Sequence, residues 1–415
     1  MESRLRNVNR SVYSPLLYWC LAFFCSHTTN ANDFFQKGYI GIDSHYYPKS
    51  NNELQEYGNS SFVMQAEFSH AWNSSFFMKL TPFARLDAEF EDRNSTQVKE
   101  LELEYVNGGN LFHIGQRLLS WSTVETVNVL PITVADIVNQ RDIQGDPDGQ
   151  EKLGRPMLSY TILGQATQFE LHYMPFFVER LHPLIQSREH FAGGNFSIIE
   201  DGIYTDEDKE TQASYAAKFE WVFGASNLAL FHYSGYRNEP LYIPRDNASL
   251  QQLYFSTNTS GITLQSSLSS WLIKLEAAYN DTEENNDYVL PHEYSSFIGG
   301  VEYTLIRPNK HADLGFFMEY VYDSRDSGPF RTPFEDDLFY GFRWASNNHD
   351  DATLLGGVLS DLDDHANIFH LNYKQRIGND FGIDITARFY DIKDDTLMIV
   401  YENEHLLNLT FSYYL

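Results

Sequence analysis

Apolar and polar residues alternate with a period of two in nearly every readable segment from Gly38 onward. In "FMKLTPFARLDAEF", Met78, Leu80, Pro82, Ala84, Leu86, Ala88 and Phe90 share one face, and Lys79, Arg85, Asp87 and Glu89 share the other. Such alternation marks a β-strand whose two faces meet different surroundings. Leu101, Leu103 and Tyr105 oppose Glu100, Glu102 and Glu104 in the same way, and Leu338, Tyr340, Phe342 and Trp344 oppose Asp337 and Arg343. The pattern predicts strands at 38–46, 60–72, 76–90, 97–106, 111–117, 156–164, 167–175, 211–222 and 227–236. It continues at 258–268, 271–280, 294–305, 311–323, 336–345, 352–361, 367–376, 380–390 and 405–415. That is eighteen strands, an even number, with sixteen as the alternative count. Many reach ten residues, long for a globular sheet and right for a tilted strand that crosses a bilayer.

Charges on one face and aliphatic or aromatic side chains on the other, strand after strand, invert the plan of a soluble barrel. Lipid takes the apolar face and a wet lumen the charged one. No stretch of roughly 18 apolar residues offers a transmembrane helix. The competing reading, a large soluble β-sandwich with a polar outside, accounts less well for the strand lengths. Connections also alternate between tight turns, at 73–75, 107–110, 165–166, 224–226, 269–270 and 378–380, and long polar loops, at 47–59, 118–155, 176–210, 237–257, 281–293, 324–335 and 391–404. The predicted fold is therefore all-β: a transmembrane antiparallel β-barrel with short periplasmic turns and long extracellular loops. Trp72, Trp221, Trp271 and Trp344 fall on the lipid-facing register beside turns assigned to the periplasm, which predicts an aromatic girdle at headgroup level.

The two ends fit this plan. Arg4, Arg6 and Arg10 precede the apolar run Leu16 to Cys25, and small residues follow up to Ala31, which reads as a signal peptide over 1–31. Residues 32–415 then form a single barrel domain, and both cysteines, Cys20 and Cys25, belong to the leader. Few residues separate Ala31 from Gly38, which leaves a plug domain no room and argues against a gated receptor. The C-terminal "LLNLTFSYYL" places Leu407, Leu409, Phe411, Tyr413 and Leu415 on one face. That face resembles the signal outer-membrane barrels show to the insertion machinery, with Leu415 where Phe is usual. A net charge of −28 excludes nucleic acid as a partner, because phosphate binding needs clustered Lys and Arg. The expected partners are outer-membrane lipid, lipopolysaccharide, the insertion machinery and small-molecule solutes.

On the inward register sixteen acidic and nine basic residues leave about seven negative charges, and charge rings set pore selectivity. Arg85, Asp87, Glu102, Arg117, Glu170, Glu302, Glu319, Asp337, Arg343, Lys374 and Arg388 are the principal members. They predict a weak preference for cations or neutral solutes. The same charges can instead pair across strands, as Glu302, Glu319 and Arg343 on three consecutive strands would. Loop 118–155 is long enough to fold inward, with Trp121, Asn139, Arg141, Asp142, Asp146, Asp148 and Lys152 as candidate constriction residues. Within it "DPDGQE" suggests calcium at Asp146 to Asp148, although the spacing is not that of an EF-hand and a solvated Asp-Gly turn explains it equally. No other cofactor is expected. His113, His172 and His370 face inward on distant strands, and no G-x-S-x-G or H-E-x-x-H motif occurs, so no enzyme is expected.

Several stretches resemble a family of proteobacterial outer-membrane, porin-like β-barrel proteins: "DIVNQRDIQGDPDGQEKLGRPM", "SSWLIKLEAAY", "GGVEYTLI", "DLGFFMEYVYDSRD" and "PFEDDLFYGFRWASN". With the C-terminal end, which also matches, they span from about Asp136 to the C-terminus, and Trp121-Ser122 departs from the Trp-Gly pair of that pattern. The resemblance implies a barrel in the outer membrane of a Gram-negative bacterium and carries no substrate. The expected function is passive diffusion of small hydrophilic solutes. The alternatives are an export conduit for a polysaccharide or other secreted molecule, and a surface-binding or structural barrel that conducts nothing.

Overall fold

A computed structural model describes residues 35–49, 58–90, 93–125, 135, 140–141, 152–180, 197–205, 213–247, 249–282, 287–305, 312–325, 330–346, 348–393 and 397–415. The predicted leader over 1–31, and with it both cysteines, lies outside the described residues, as do the Asp142, Asp146 and Asp148 of the calcium expectation.

The strands are β1 (Phe35–Tyr46), β2 (Gly58–Ala71), β3 (Phe76–Asp87), β4 (Ser95–Asn107), β5 (Asn110–Arg117), β6 (Gln140–Arg141), β7 (Lys152–Leu153) and β8 (Arg155–Leu163). They continue with β9 (Thr167–Met174), β10 (Ser197–Tyr204), β11 (Ser214–Phe223), β12 (Ser226–Tyr236), β13 (Leu241–Pro244), β14 (Ser249–Tyr254), β15 (Ser256–Leu268) and β16 (Trp271–Thr282). The last are β17 (Tyr294–Leu305), β18 (Ala312–Asp323), β19 (Asp336–Ser346), β20 (Thr353–Asp361), β21 (Ala366–Ile377), β22 (Phe381–Ile392) and β23 (Leu406–Tyr414). Eighteen of them form one antiparallel sheet in which each pairs with its sequence neighbours, and β1 closes the ring on β23 from Tyr39↔Tyr414 to Tyr46↔Leu407. These eighteen are the strands the alternation predicts, within a few residues at each end.

The faces are inverted as the pattern requires. Ile42, Phe62, Leu103, Ile114, Leu230, Phe316, Met318 and Phe369 stand exposed on the outside, while Asp43, Arg85, Glu170, Lys274, Glu276 and Thr386 are buried inside. An exterior this continuous and apolar would be an aggregation surface in water and is at home in hydrocarbon. A closed ring leaves no strand edge, so the backbone groups of the wall pair within it. Eighteen strands enclose a lumen wider than side chains alone fill.

Connections at one end are tight: Gly108, Gly224 and Gly378 take φ of +60°, +59° and +66° in turns where a side chain would be strained. The other end carries the long loops, with two short exceptions at 88–94 and 362–365. Two of the long loops build a small sheet that the sequence reading does not anticipate. There β10 pairs in parallel with β14, and β13 joins antiparallel. Its core holds Phe177, Tyr204, Tyr236 and Tyr254, with ring centroids 4.9–6.2 Å apart.

Candidate functional site

The segment that follows β5 turns into the barrel. Trp121 is 5 % exposed, with its ring centroid 5.9 Å from that of His172 on β9 and 5.8 Å from that of Phe231 on β12. Both partners face inward, so the indole sits within the lumen. Ala135, Met157, Met174, Ala216, Tyr233 and Ala278 complete its surroundings. Three residues on, Val124 packs into a second apolar cluster with Ile298, Phe317, Val321, Phe339, Leu359 and Ile368 from β17 to β21. Met398, in the 3-10 helix Leu397–Tyr401 of the loop between β22 and β23, enters the same cluster. Part of the lumen wall is therefore apolar, against the uniformly polar lining the alternation suggests. The reason is that inserted loops cover it. The wall makes room by lying flat: a Cβ on Gly341 would meet Phe317 Cζ at 2.7 Å, and one on Gly357 would meet Phe339 Cε2 at 2.7 Å.

A loop inside a barrel must satisfy its backbone polar groups without the help of a strand ladder. Here wall carboxylates do so. Glu276 on β16 accepts hydrogen bonds from the Ser122 hydroxyl at 2.7 Å and from the Thr123 N–H, and both oxygens of Glu319 on β18 accept the Glu125 N–H, at 2.7 and 2.9 Å. The Glu125 side chain returns the bond, taking Lys274 Nζ at 3.1 Å and the guanidinium of Arg343. Lys274 also lies 3.5 Å from Glu302, and Arg343 lies 3.8 Å from it. Of the expected ladder, Glu302 and Arg343 pair, joined by Lys274 and the loop carboxylate of Glu125, while Glu319 holds the Glu125 N–H. The alternation of β16 puts Lys274 and Glu276 on its inward register, but sequence reading misses Ser122, Thr123 and Glu125. The only local signal is the polar run "STVE" after Trp121, and nothing in it specifies a partner some 150 residues away.

Of the other constriction candidates, Arg141 and Lys152 lie opposite each other in the two-residue pairing of β6 with β7, and Asn139 lies outside the described residues. The remaining lumen charges are mostly paired. Arg85 lies 4.0 Å from Asp43, Asp87 binds Arg93 at 3.0 Å, and Arg117 binds Glu102 at 2.6 Å. Glu170 lies 3.1 Å from His172 and 4.0 Å from Lys218, and Lys374 binds Asp384 at 2.9 Å. Arg388 faces His370 across β21 and β22. Asp337, at the outer end of β19, is fully buried opposite Asp361 of β20, and among the described residues its carboxylate oxygens meet no hydrogen-bond donor.

The wall from β21 to β1 is different. It borders a polar cavity of about 330 Å³ lined by residues that include Asp43, Lys374, Arg376, Asp384, Thr386, Asn408, Thr410 and Ser412. On the outer surface Trp72, Trp221 and Trp271 are exposed and Trp344 is partly so, all near the tight-turn end. A row of rings runs beside them, Phe76–Tyr105 at 4.7 Å, Tyr105–Phe112 at 6.2 Å and Phe112–Tyr160 at 4.7 Å.

The fold is a closed eighteen-stranded antiparallel β-barrel like that of outer-membrane porins, with a loop seated in its lumen. Its architecture is shared with OccK11 (OpdR) of Pseudomonas aeruginosa, at a TM-score of 0.53 and 9% identity, covering 92% of this chain and 95% of that one. It is shared also with the outer membrane protein OpdK of the same organism, at a TM-score of 0.52 and 9% identity over 91% and 98% of the two chains. OccAB3 of Acinetobacter baumannii matches at a TM-score of 0.51 and 10% identity over 91% and 98%. No family model and no curated protein sequence matches the chain.

Proposed function

We propose that the protein is a porin-like outer-membrane channel through which small hydrophilic solutes diffuse passively, with a weak preference for cations. The observation that carries this reading is the seated loop. A bare eighteen-stranded barrel would be a wide hole, and the segment from Trp121 to Glu125 fills one side of it while the β21–β1 side keeps a polar cavity. What remains is a narrowed, charge-lined passage of the kind that sorts solutes by size and charge. The cation preference rests on the excess of inward carboxylates, since much of the basic complement is already held in pairs. OpdK has been solved with vanillate. A small carboxylated aromatic is therefore the anionic probe to set against neutral sugars and cationic amino acids, which the cation preference expects to pass more readily.

The test is single-channel recording in planar bilayers under a KCl gradient, followed by Glu125→Gln. The reading expects steady steps, a reversal potential on the cation side, and a change of conductance in the variant. A folded, heat-modifiable barrel that passes no current would refute it and favour a structural or surface-binding role.

A further inference from the structure

Glu102 and Glu104 are successive inward residues of β4, and His113 faces Glu104 from β5. His113 Nδ1 stands 3.0 Å from Glu102 Oε1 and 3.4 Å from Glu104 Oε2, and one ligand atom from each of the three residues lies within 4.8 Å of the others. These spacings have a meaning beyond hydrogen bonding. For a metal ion bonded to nitrogen and oxygen at about 2.1 Å, neighbouring ligand atoms stand about 3.0 Å apart at right angles and about 3.4 Å apart at tetrahedral angles. The two His113 spacings match these values, and the Glu102 and Glu104 side chains, within 4.8 Å of each other, would close on an ion placed between them.

The surroundings suit that use. Arg117, next on the inward face of β5 beyond Gly115, donates its Nε–H to Glu102 Oε2 at 2.6 Å, which leaves Oε1 turned towards His113. A partner that orients a ligand from behind in this way is a regular part of metal sites. Exposure grades across the group, with the side chains of His113 at 5%, Glu102 at 16% and Glu104 at 26%, so the wall closes one side and the lumen opens the other. Neighbouring cations are already committed, Lys79 to Glu100 at 2.6 Å and Lys218 to Glu220 at 2.8 Å.

We propose that Glu102, Glu104 and His113 form a lumen site for a divalent transition metal of the Zn²⁺ class. One imidazole nitrogen with two carboxylate oxygens suits a borderline ion, whereas Ca²⁺ and Mg²⁺ are served by oxygen alone. The site lies towards the tight-turn end of the barrel, and it does not depend on whether the channel conducts. The competing account is that His113 only bridges the two carboxylates as part of a charge ladder.

Isothermal titration of the full chain in detergent, purified without a histidine tag, distinguishes the two when Zn²⁺ is the probe, and Co²⁺ absorption in the visible range reports the ligand field. One Zn²⁺ per chain at micromolar affinity is expected, with at least a hundredfold loss in His113→Gln and about a tenfold loss in Arg117→Gln, in line with the effect of orienting partners. His365→Gln, in the 362–365 loop, should bind like the wild type. Folding of each variant is checked by heat-modifiability, and Glu104→Gln, at the most exposed ligand, stands in should His113→Gln fail to fold. Absence of Zn²⁺ binding below millimolar concentration in the wild type would overturn the proposal. So would undiminished binding in folded His113→Gln or Glu104→Gln.

Discussion

Two stretches of the same wall, β16 to β20 and β21 through β23 to β1, obey one pairing rule and present opposite interiors. The first holds Lys274 paired with Glu125 at 3.1 Å, both nearly inaccessible, beneath a seated loop and an apolar cluster. The second holds Lys374 and Asp384, whose side chains are 42% and 25% exposed, beside a polar cavity. The ion pairs look alike on paper and differ in surroundings. A buried pair is costly to break because the remaining charge stays out of water, while an exposed pair contributes little that water would not supply. The lesson is that wall charges under the loop hold it in place, and wall charges beside the cavity are exposed on it.

The strongest way to break this contrast is Trp121→Ala. Removing a buried indole costs about 3–5 kcal/mol, and here the loss falls on the docking of the loop, since Trp121 belongs to no strand. Rapid proteolysis beside position 121 is expected while the barrel keeps its heat-modifiability. Lys274→Met comes next. It takes one of two cations from Glu125, a loss of about 3 kcal/mol if the pair behaves as buried pairs do, and the same protease assay should show it more weakly. On the other wall Lys374→Met should change thermal stability by less than about 1 kcal/mol. It should nonetheless move the reversal potential towards cations, because the charge it removes lies on the cavity. A stability loss there as large as that of Lys274→Met would erase the distinction between the two walls.

The smallest effect concerns the outer loops. Partial desolvation works against the charged form of Glu239, but Arg237, 3.1 Å away, with Arg325 and Arg180, more than offsets it and holds the carboxyl below its ordinary value. A lowered folded-state pKa gives stability that is present above the ordinary carboxylate range near pH 4.5 and is lost as pH falls through the lowered value. Glu239 is itself 56% exposed, so water screens most of this. Acidification below pH 4 should loosen the 237–255 connection slightly, read as faster hydrogen exchange, and Glu239→Gln should remove that pH dependence.

The barrel was legible in the sequence because its signal is local and repeated. Every strand carries its own alternation, and a membrane exterior enforces it from Ile42 to Phe411. The girdle tryptophans and the inward charges follow from that register alone. The seat of the loop was not legible, since Glu125 meets Lys274 and Arg343 through separations of 149 and 218 residues. Apolar inward residues such as Ile298 and Leu359 make sense only once Val124 and Met398 lie against them. The β10, β13 and β14 sheet escaped notice for a different reason: its strands are short, and β10 pairs with a segment from another loop.

The most direct test of a passage along the open wall is cysteine accessibility during conduction, in a chain whose Cys20 and Cys25 are replaced. Thr410→Cys borders the cavity, and Ala278→Cys lies in the apolar pocket around Trp121. A cationic methanethiosulfonate reagent should reduce the current through Thr410→Cys and leave Ala278→Cys unaffected. Block through Ala278→Cys with none through Thr410→Cys would place the route under the loop and contradict the account.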